Sequence, residues 1–118
     1  AIGLGGFINI PLTLMKNRDI IISMTNFQSY KPKNEREKFL AKSFLKLKTE
    51  QEVANFLRDI LTIKEMEEFS NRLEMAKLLK QGLSYKAIAK KLKVSTTTVT
   101  RTAHWLFHGC GGYEKVLK

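Results

Sequence analysis

Thr96, Thr97, Thr100 and Arg101 form the group in this sequence best suited to touch another molecule. At helical spacing the three threonines and the arginine share an outward face. Hydroxyls suit phosphate oxygens, a threonine methyl suits the thymine methyl, and a guanidinium suits a guanine edge. Ser95 stands just before them and suits the N-cap of that helix, because its hydroxyl accepts from an otherwise unpartnered N–H. Lys86, Lys90, Lys91 and Lys93 lie shortly upstream, where ammonium groups would hold a duplex backbone. His104 continues the helix and reads as facing solvent or that backbone.

These residues need two short crossed helices to position them. Residues 84–92 and 95–108 supply the pattern of a helix-turn-helix. Ala89 is the small contact residue, and Ile88, Leu92 and Val99 are the apolar anchors. Gly109-Cys-Gly-Gly112 stops the second helix, and Tyr113 to Leu117 suits a last helical turn. A glycine often occupies the turn of such a motif, where the backbone turns left-handed. Here it is Lys93, and a positive φ there would cost about 1 kcal/mol.

Two amphipathic helices around a turn also occur in proteins that never meet nucleic acid, so charge has to arbitrate. The 118 residues carry a formal net charge of +10, which favours a polyanionic partner. Residues 82–118 hold seven Lys or Arg against the single acid Glu114, and residues 31–48 hold seven against two. Residues 49–75 reverse the balance, with seven acids against Arg58, Lys64 and Arg72. A basic C-terminal module beside an acidic middle is the layout of an oriented duplex-binding protein.

The length predicts one main domain. From Asn34 onward the pattern is helical. Asn34 caps a helix reaching about Leu47, with Phe39, Leu40, Phe44 and Leu47 on one side. Thr49 with Glu52 makes a capping box for a second helix ending near Leu61, with Val53, Phe56, Leu57 and Ile60 inward. Thr62 with Glu65 makes another, for a third helix to about Gln81, closed by Gly82. Met66, Phe69, Leu73, Ala76 and Leu79 are its apolar positions. The fold class is therefore all-α: a helical bundle with a helix-turn-helix. It is expected to dimerise, because one short chain cannot cover every apolar face. A dimer would present two reading helices about 34 Å apart.

Residues 1–30 read as an N-terminal extension to the helical domain at 31–118. Phe7-Ile-Asn-Ile10 and Ile20-Ile-Ile-Ser23 suit a short β-hairpin turned at Lys16-Asn-Arg-Asp19. The change of composition near Met24 gives the expectation that the native chain starts there and that residues 1–23 are upstream sequence. The apolar stretches are too interrupted to span a bilayer. No basic segment marks a secretory signal. The lone Cys110 fits a reducing cytoplasm.

Other chemistries fit less well. His104 and His108 are spaced i, i+4, with Cys110 just beyond, but no fourth metal ligand is evident, so no metal is expected. Ser70, Ser84 and Ser95 lack a His and acid partner pattern, so no enzyme is expected. Gly3-Leu-Gly-Gly6 lacks the Lys-Ser or Lys-Thr of a phosphate loop. No cofactor is implied.

The run from Leu61 to Gly82, followed by Ser84 to Arg101, resembles the tryptophan repressor superfamily, and within it the branch of small Trp-repressor-like bacterial proteins. The residues that carry the resemblance are Leu61-Thr62, Arg72 with Leu73, Gly82, and Thr98-Val99-Thr100-Arg101. It covers about residues 53–108. The resemblance implies an intertwined all-α homodimer that binds double-stranded DNA and represses transcription. In tryptophan-binding members two arginines sandwich the indole, and Arg72 and Arg101 match them here. Thr102 stands where those members have glycine, and Trp105 where they have serine. A β-branched residue and an indole are expected to fill much of the ligand space, so L-tryptophan is not expected as a co-repressor. Trp105 would then hold the reading head without ligand. Arg72 also fits a surface ion pair with Glu68.

Two other readings remain open on sequence alone: an architectural or replication-associated DNA-binding module, and a protein–protein adaptor built from the same helices.

Overall fold

The computed structural model describes residues 27–118. They form six helices and, among the described residues, no strand: α1 Glu35–Phe44, α2 Glu50–Ile60, α3 Ile63–Lys80, α4 Tyr85–Leu92, α5 Thr96–His108 and α6 Gly112–Val116. The all-α expectation holds. The strands expected for a hairpin, and the question of a start at Met24, fall outside the described residues.

Local hydrogen bonding sets the helix starts. Asn34, Thr49, Thr62, Ser84 and Ser95 each accept a backbone N–H of the first turn through a side-chain oxygen. At α3 the box is reciprocal, with Glu65 also accepting the Thr62 N–H at 3.0 Å. Those Thr62 bonds hold the Glu65 carboxyl below its ordinary range. At α2 the Glu52 carboxylate instead takes the N–H of Lys48 at 2.8 Å. The box expected with Thr49 is thus displaced by one residue. Helix α1 stops short of Leu47, because Leu45, Lys46 and Leu47 donate three residues back, to Lys42, Ser43 and Phe44. Such tight bonds end an α-helix in a 3₁₀-like turn.

Two helix ends use left-handed backbone. Gly82 adopts φ 89° after α3, its N–H bonding Leu79 O while Leu83 N–H reaches Leu78 O. This is the paired closure that a C′ glycine permits. Lys93 adopts φ 56° and ψ 45° after α4. Val94 N–H then reaches Ala89 O at 3.0 Å, which fixes the turn between α4 and α5.

The core sits where α3, α4 and α5 cross. Its buried members are Met75, Ala76, Leu78 and Leu79 of α3, Ile88 and Ala89 of α4, and Val99, Ala103 and Leu106 of α5. Ile88, Val99 and Leu106 are the largest side chains fully removed from solvent. Ala89 is the small contact residue expected there, and Leu92 and Val94 pack against the cluster from its edge. Helices α1 and α2 bury no residue. Ile60, read as inward from sequence, is exposed in the single chain, as are Phe39, Leu40 and Phe44 of the apolar side of α1 and Phe69 and Leu73 of the apolar positions of α3. Phe44 meets Phe56 edge-on with centroids 5.3 Å apart, and this joins α1 to α2.

Helix α6 returns across the end of α3. Lys80 Nζ lies 3.0 Å from both carboxylate oxygens of Glu114, and both side chains are largely sheltered.

Lys93→Gly relieves the left-handed backbone without removing a core contact. It should raise stability by about 1 kcal/mol, read as a higher urea midpoint at unchanged slope.

Candidate nucleic-acid interface

The N-terminal half of α5 is built by its cap. Ser95 Oγ accepts the Thr98 N–H at 3.1 Å and lies 2.9 Å from Thr98 Oγ1. Ser95, singled out as a contact residue, is therefore engaged in shaping the helix. Thr100 Oγ1 donates to Thr96 O at 2.9 Å, so its hydroxyl proton is occupied while its methyl and lone pairs stay available. Thr96 and Thr97 are exposed in the first turn, where backbone N–H groups lack helical partners and the helix dipole favours anions. Val99 and Ala103 face the core and so fix which side of α5 is outward.

All the sequence-selected contact residues lie at the surface: Lys86, Lys90, Lys91, Lys93, Ser95, Thr96, Thr97, Thr100, Arg101 and His104 are exposed. The ion pairs among the described residues are Lys77–Glu74 and Lys80–Glu114, so no acid neutralises these lysines or Arg101. The structure brings the α4 lysines, Lys93 and the start of α5 onto one two-helix unit, because α4 and α5 pack directly on each other. Basic charge and hydroxyls then occur together, with no carboxylate paired to them among the described residues.

Behind Arg101 lies a cavity of about 630 Å³ between α3, α5 and α6. Arg72, Arg101, Thr102 and Trp105, the four residues read as a ligand pocket, all line it. Leu73, Thr98, Cys110, Gly112, Tyr113 and Val116 complete the wall. Thr98 was readable in principle, since it falls one turn before Arg101 and Thr102 on the same helix. The α6 residues were not, because no local spacing announces that this helix folds back over α3.

The space is not filled as expected from Thr102 and Trp105. Thr102 is buried and turns its hydroxyl toward Met75 Sδ, 3.8 Å away. Trp105 lies along the wall and remains 55% exposed. Its orientation is held from one side by His104, whose ring meets the indole edge-on at 5.6 Å. Gly109 lies close to Trp105 as well, since a Cβ there would run into the Trp105 carbonyl oxygen and stand 3.1 Å from indole Cε3. Arg72 makes no ion pair with Glu68. Its guanidinium lies over the Phe69 ring, 5.3 Å from the centroid, a cation–π placement. Burial pushes the Tyr113 hydroxyl above its ordinary range, and the Arg72 charge opposes that shift. Arg101 belongs to both places, the wall of the cavity and the exposed face of α5.

No helix of the described residues is long and apolar enough to cross a membrane. The family model for Trp repressor protein matches residues 35–118. The uncharacterized protein YerC of Bacillus subtilis (strain 168) is 36% identical over 78 residues, covering 66% of this chain and 75% of that protein. The crystal structure of a TrpR-like protein from Eubacterium eligens ATCC 27750 superposes with a TM-score of 0.66 at 36% identity, covering 71% of this chain and 87% of the other. With its serine-capped α5, its pair of arginines at one cavity and this match over more than half its length, the chain belongs to the Trp repressor protein family.

Proposed function

We propose that the protein is a sequence-specific DNA-binding transcriptional regulator, a repressor, acting in the cytoplasm as a homodimer. One observation carries the reading. Thr96, Thr97, Thr100 and Arg101 stand exposed on α5 beside Lys86, Lys90, Lys91 and Lys93, with no carboxylate paired to any of the five cations among the described residues. Thr96, Thr97, Thr100 and Arg101 reach base edges and nearby phosphates, the lysines hold the backbone, and His104 extends the contact along the helix. Ser95 contributes by capping the helix that does the reading.

The uncovered apolar side chains of α1 and α2 support the homodimer. Phe39, Leu40, Phe44 and Leu45 are exposed on adjoining parts of one short segment, and a second copy would remove them from water. Sedimentation equilibrium should give twice the chain mass. A monomer persisting at high concentration would overturn this part of the reading.

Selection of binding sites from a random DNA pool tests the function itself. The wild-type chain should return a sharp motif with two half-sites. Arg101→Ala should weaken the best site by about 1–3 kcal/mol and broaden the base preference at one position. Weaker binding with the preference intact would reduce Arg101 to a phosphate contact. Recovery of no sharp motif would favour an architectural DNA-binding module. Absence of duplex binding even at low salt would favour an adaptor, since phosphate contacts strengthen steeply as salt falls.

The reading includes DNA binding without L-tryptophan. Thr102 and Trp105 replace the small residues of the tryptophan binders; the cavity stays open, but its wall at those positions is a threonine and this chain's own indole, which changes its shape rather than filling it. Duplex affinity should be the same with and without added L-tryptophan. Micromolar binding of the amino acid in an isothermal titration would refute this.

A further inference from the structure

The C-terminal half of α5 carries a pair of side chains of which the DNA reading uses only the first. His104 and His108 stand one helical turn apart, their ring centroids 5.6 Å apart and their planes inclined at 48°. Both are exposed. We propose that this pair is a two-nitrogen chelate for an exchangeable first-row divalent cation of the borderline class: copper, nickel or zinc.

The geometry agrees with the coordination chemistry. Metal–imidazole bonds are about 2.0–2.1 Å long. Two imidazoles sharing one cation near the tetrahedral angle therefore hold their centroids roughly 5–6 Å apart. The observed centroid separation of 5.6 Å falls in that range, and both side chains are exposed. One of the rings is already steadied, because His104 packs edge-on against Trp105 with the planes at 87°. Helix polarity adds to the attraction, since the last carbonyls of α5 leave partial negative charge beside His108. Arg101, one turn before His104, is the opposing charge on the same helix.

Among the described residues no three His, Cys, Asp or Glu converge to hold a metal. The want of further protein ligands excludes a closed structural zinc site, which takes four. It does not exclude a chelate whose other positions hold water. Imidazole selects borderline cations over magnesium and calcium, and the order of affinity should place copper first. The site lies along the face of α5 that also carries Thr97 and Arg101, so a bound cation would add positive charge to that face. This consequence rests on the DNA reading. The site itself does not, and its test contains no DNA.

The chain has one tryptophan, and Trp105 touches His104, so the reporter is built in. Copper(II) chloride added to untagged protein at neutral pH should quench Trp105 emission saturably, at one equivalent per chain, while magnesium chloride should leave it unchanged. His104→Ala and His108→Ala should each move the copper midpoint by at least about tenfold, the scale on which metal sites respond even to loss of a supporting group. Both positions are exposed, and far-UV circular dichroism checks that the variants fold. Isothermal titration with nickel(II) supplies a readout independent of the indole. A chelate predicts binding in the wild type and its loss in both variants. Absence of binding in the wild type, or binding retained in either variant, overturns the proposal.

Discussion

The rest of the structure depends on removing Ile88, Val99 and Leu106 from water at the crossing of α3, α4 and α5. Ile88 of α4 and Val99 and Leu106 of α5 meet Met75, Leu78 and Leu79 of α3 there, and Ala76, Ala89 and Ala103 let the helix backbones approach. Burial of side chains this size contributes about 1.5–3 kcal/mol apiece, which is large beside any surface contact in this chain. The junction also dictates direction. With Val99 and Ala103 inward, the threonines and Arg101 have only the outer face left to them. A polar substitution at Val99 would therefore disturb the outward face of α5 although its own side chain is buried.

The same junction explains why the molecule is lopsided. Only the C-terminal half of α3 enters it, so the N-terminal part of that helix and both preceding helices are left with half-covered apolar side chains. The charge divides in a related way. Acids concentrate in residues 49–75, on α2 and the start of α3, and bases concentrate on α4 and α5. A polyanion approaching this chain meets attraction on the two-helix unit and repulsion from the middle of the sequence, which orients encounter as well as strengthening it.

Legibility followed the range of the interaction. Asn34, Thr49, Thr62, Ser84 and Ser95 each act within three residues of themselves, and their caps were readable because nothing distant competes with them. Gly82 was readable for the same reason, whereas the sequence left the shape of the turn at Lys93 open, because a lysine there fits either a strained left-handed turn or a different one, and the structure shows the former. Periodicity told less about burial than about helicity. Phe39, Phe69 and Leu73 have the right spacing for a core, but the described residues leave all three exposed. The cavity was half visible. Arg72, Arg101, Thr102 and Trp105 could be grouped by resemblance, whereas its openness depends on Thr102 turning toward Met75 and on α6 supplying Tyr113 and Val116. The Gln28 N–H to Gly109 O bond, 3.1 Å long, joins segments far apart in the chain and leaves no local trace.

The Lys80–Glu114 pair has a consequence for where this domain ends. The two side chains keep only 16% and 11% of their exposure, so each charge depends on the other for much of what water would otherwise provide. A fragment cut before Glu114 would leave a sheltered ammonium without its counter-charge at the C-terminal end of α3, next to Leu78 and Leu79. The final turn thus supplies the counter-charge to a sheltered side chain of α3, and trimming it would change the electrostatics of that helix end.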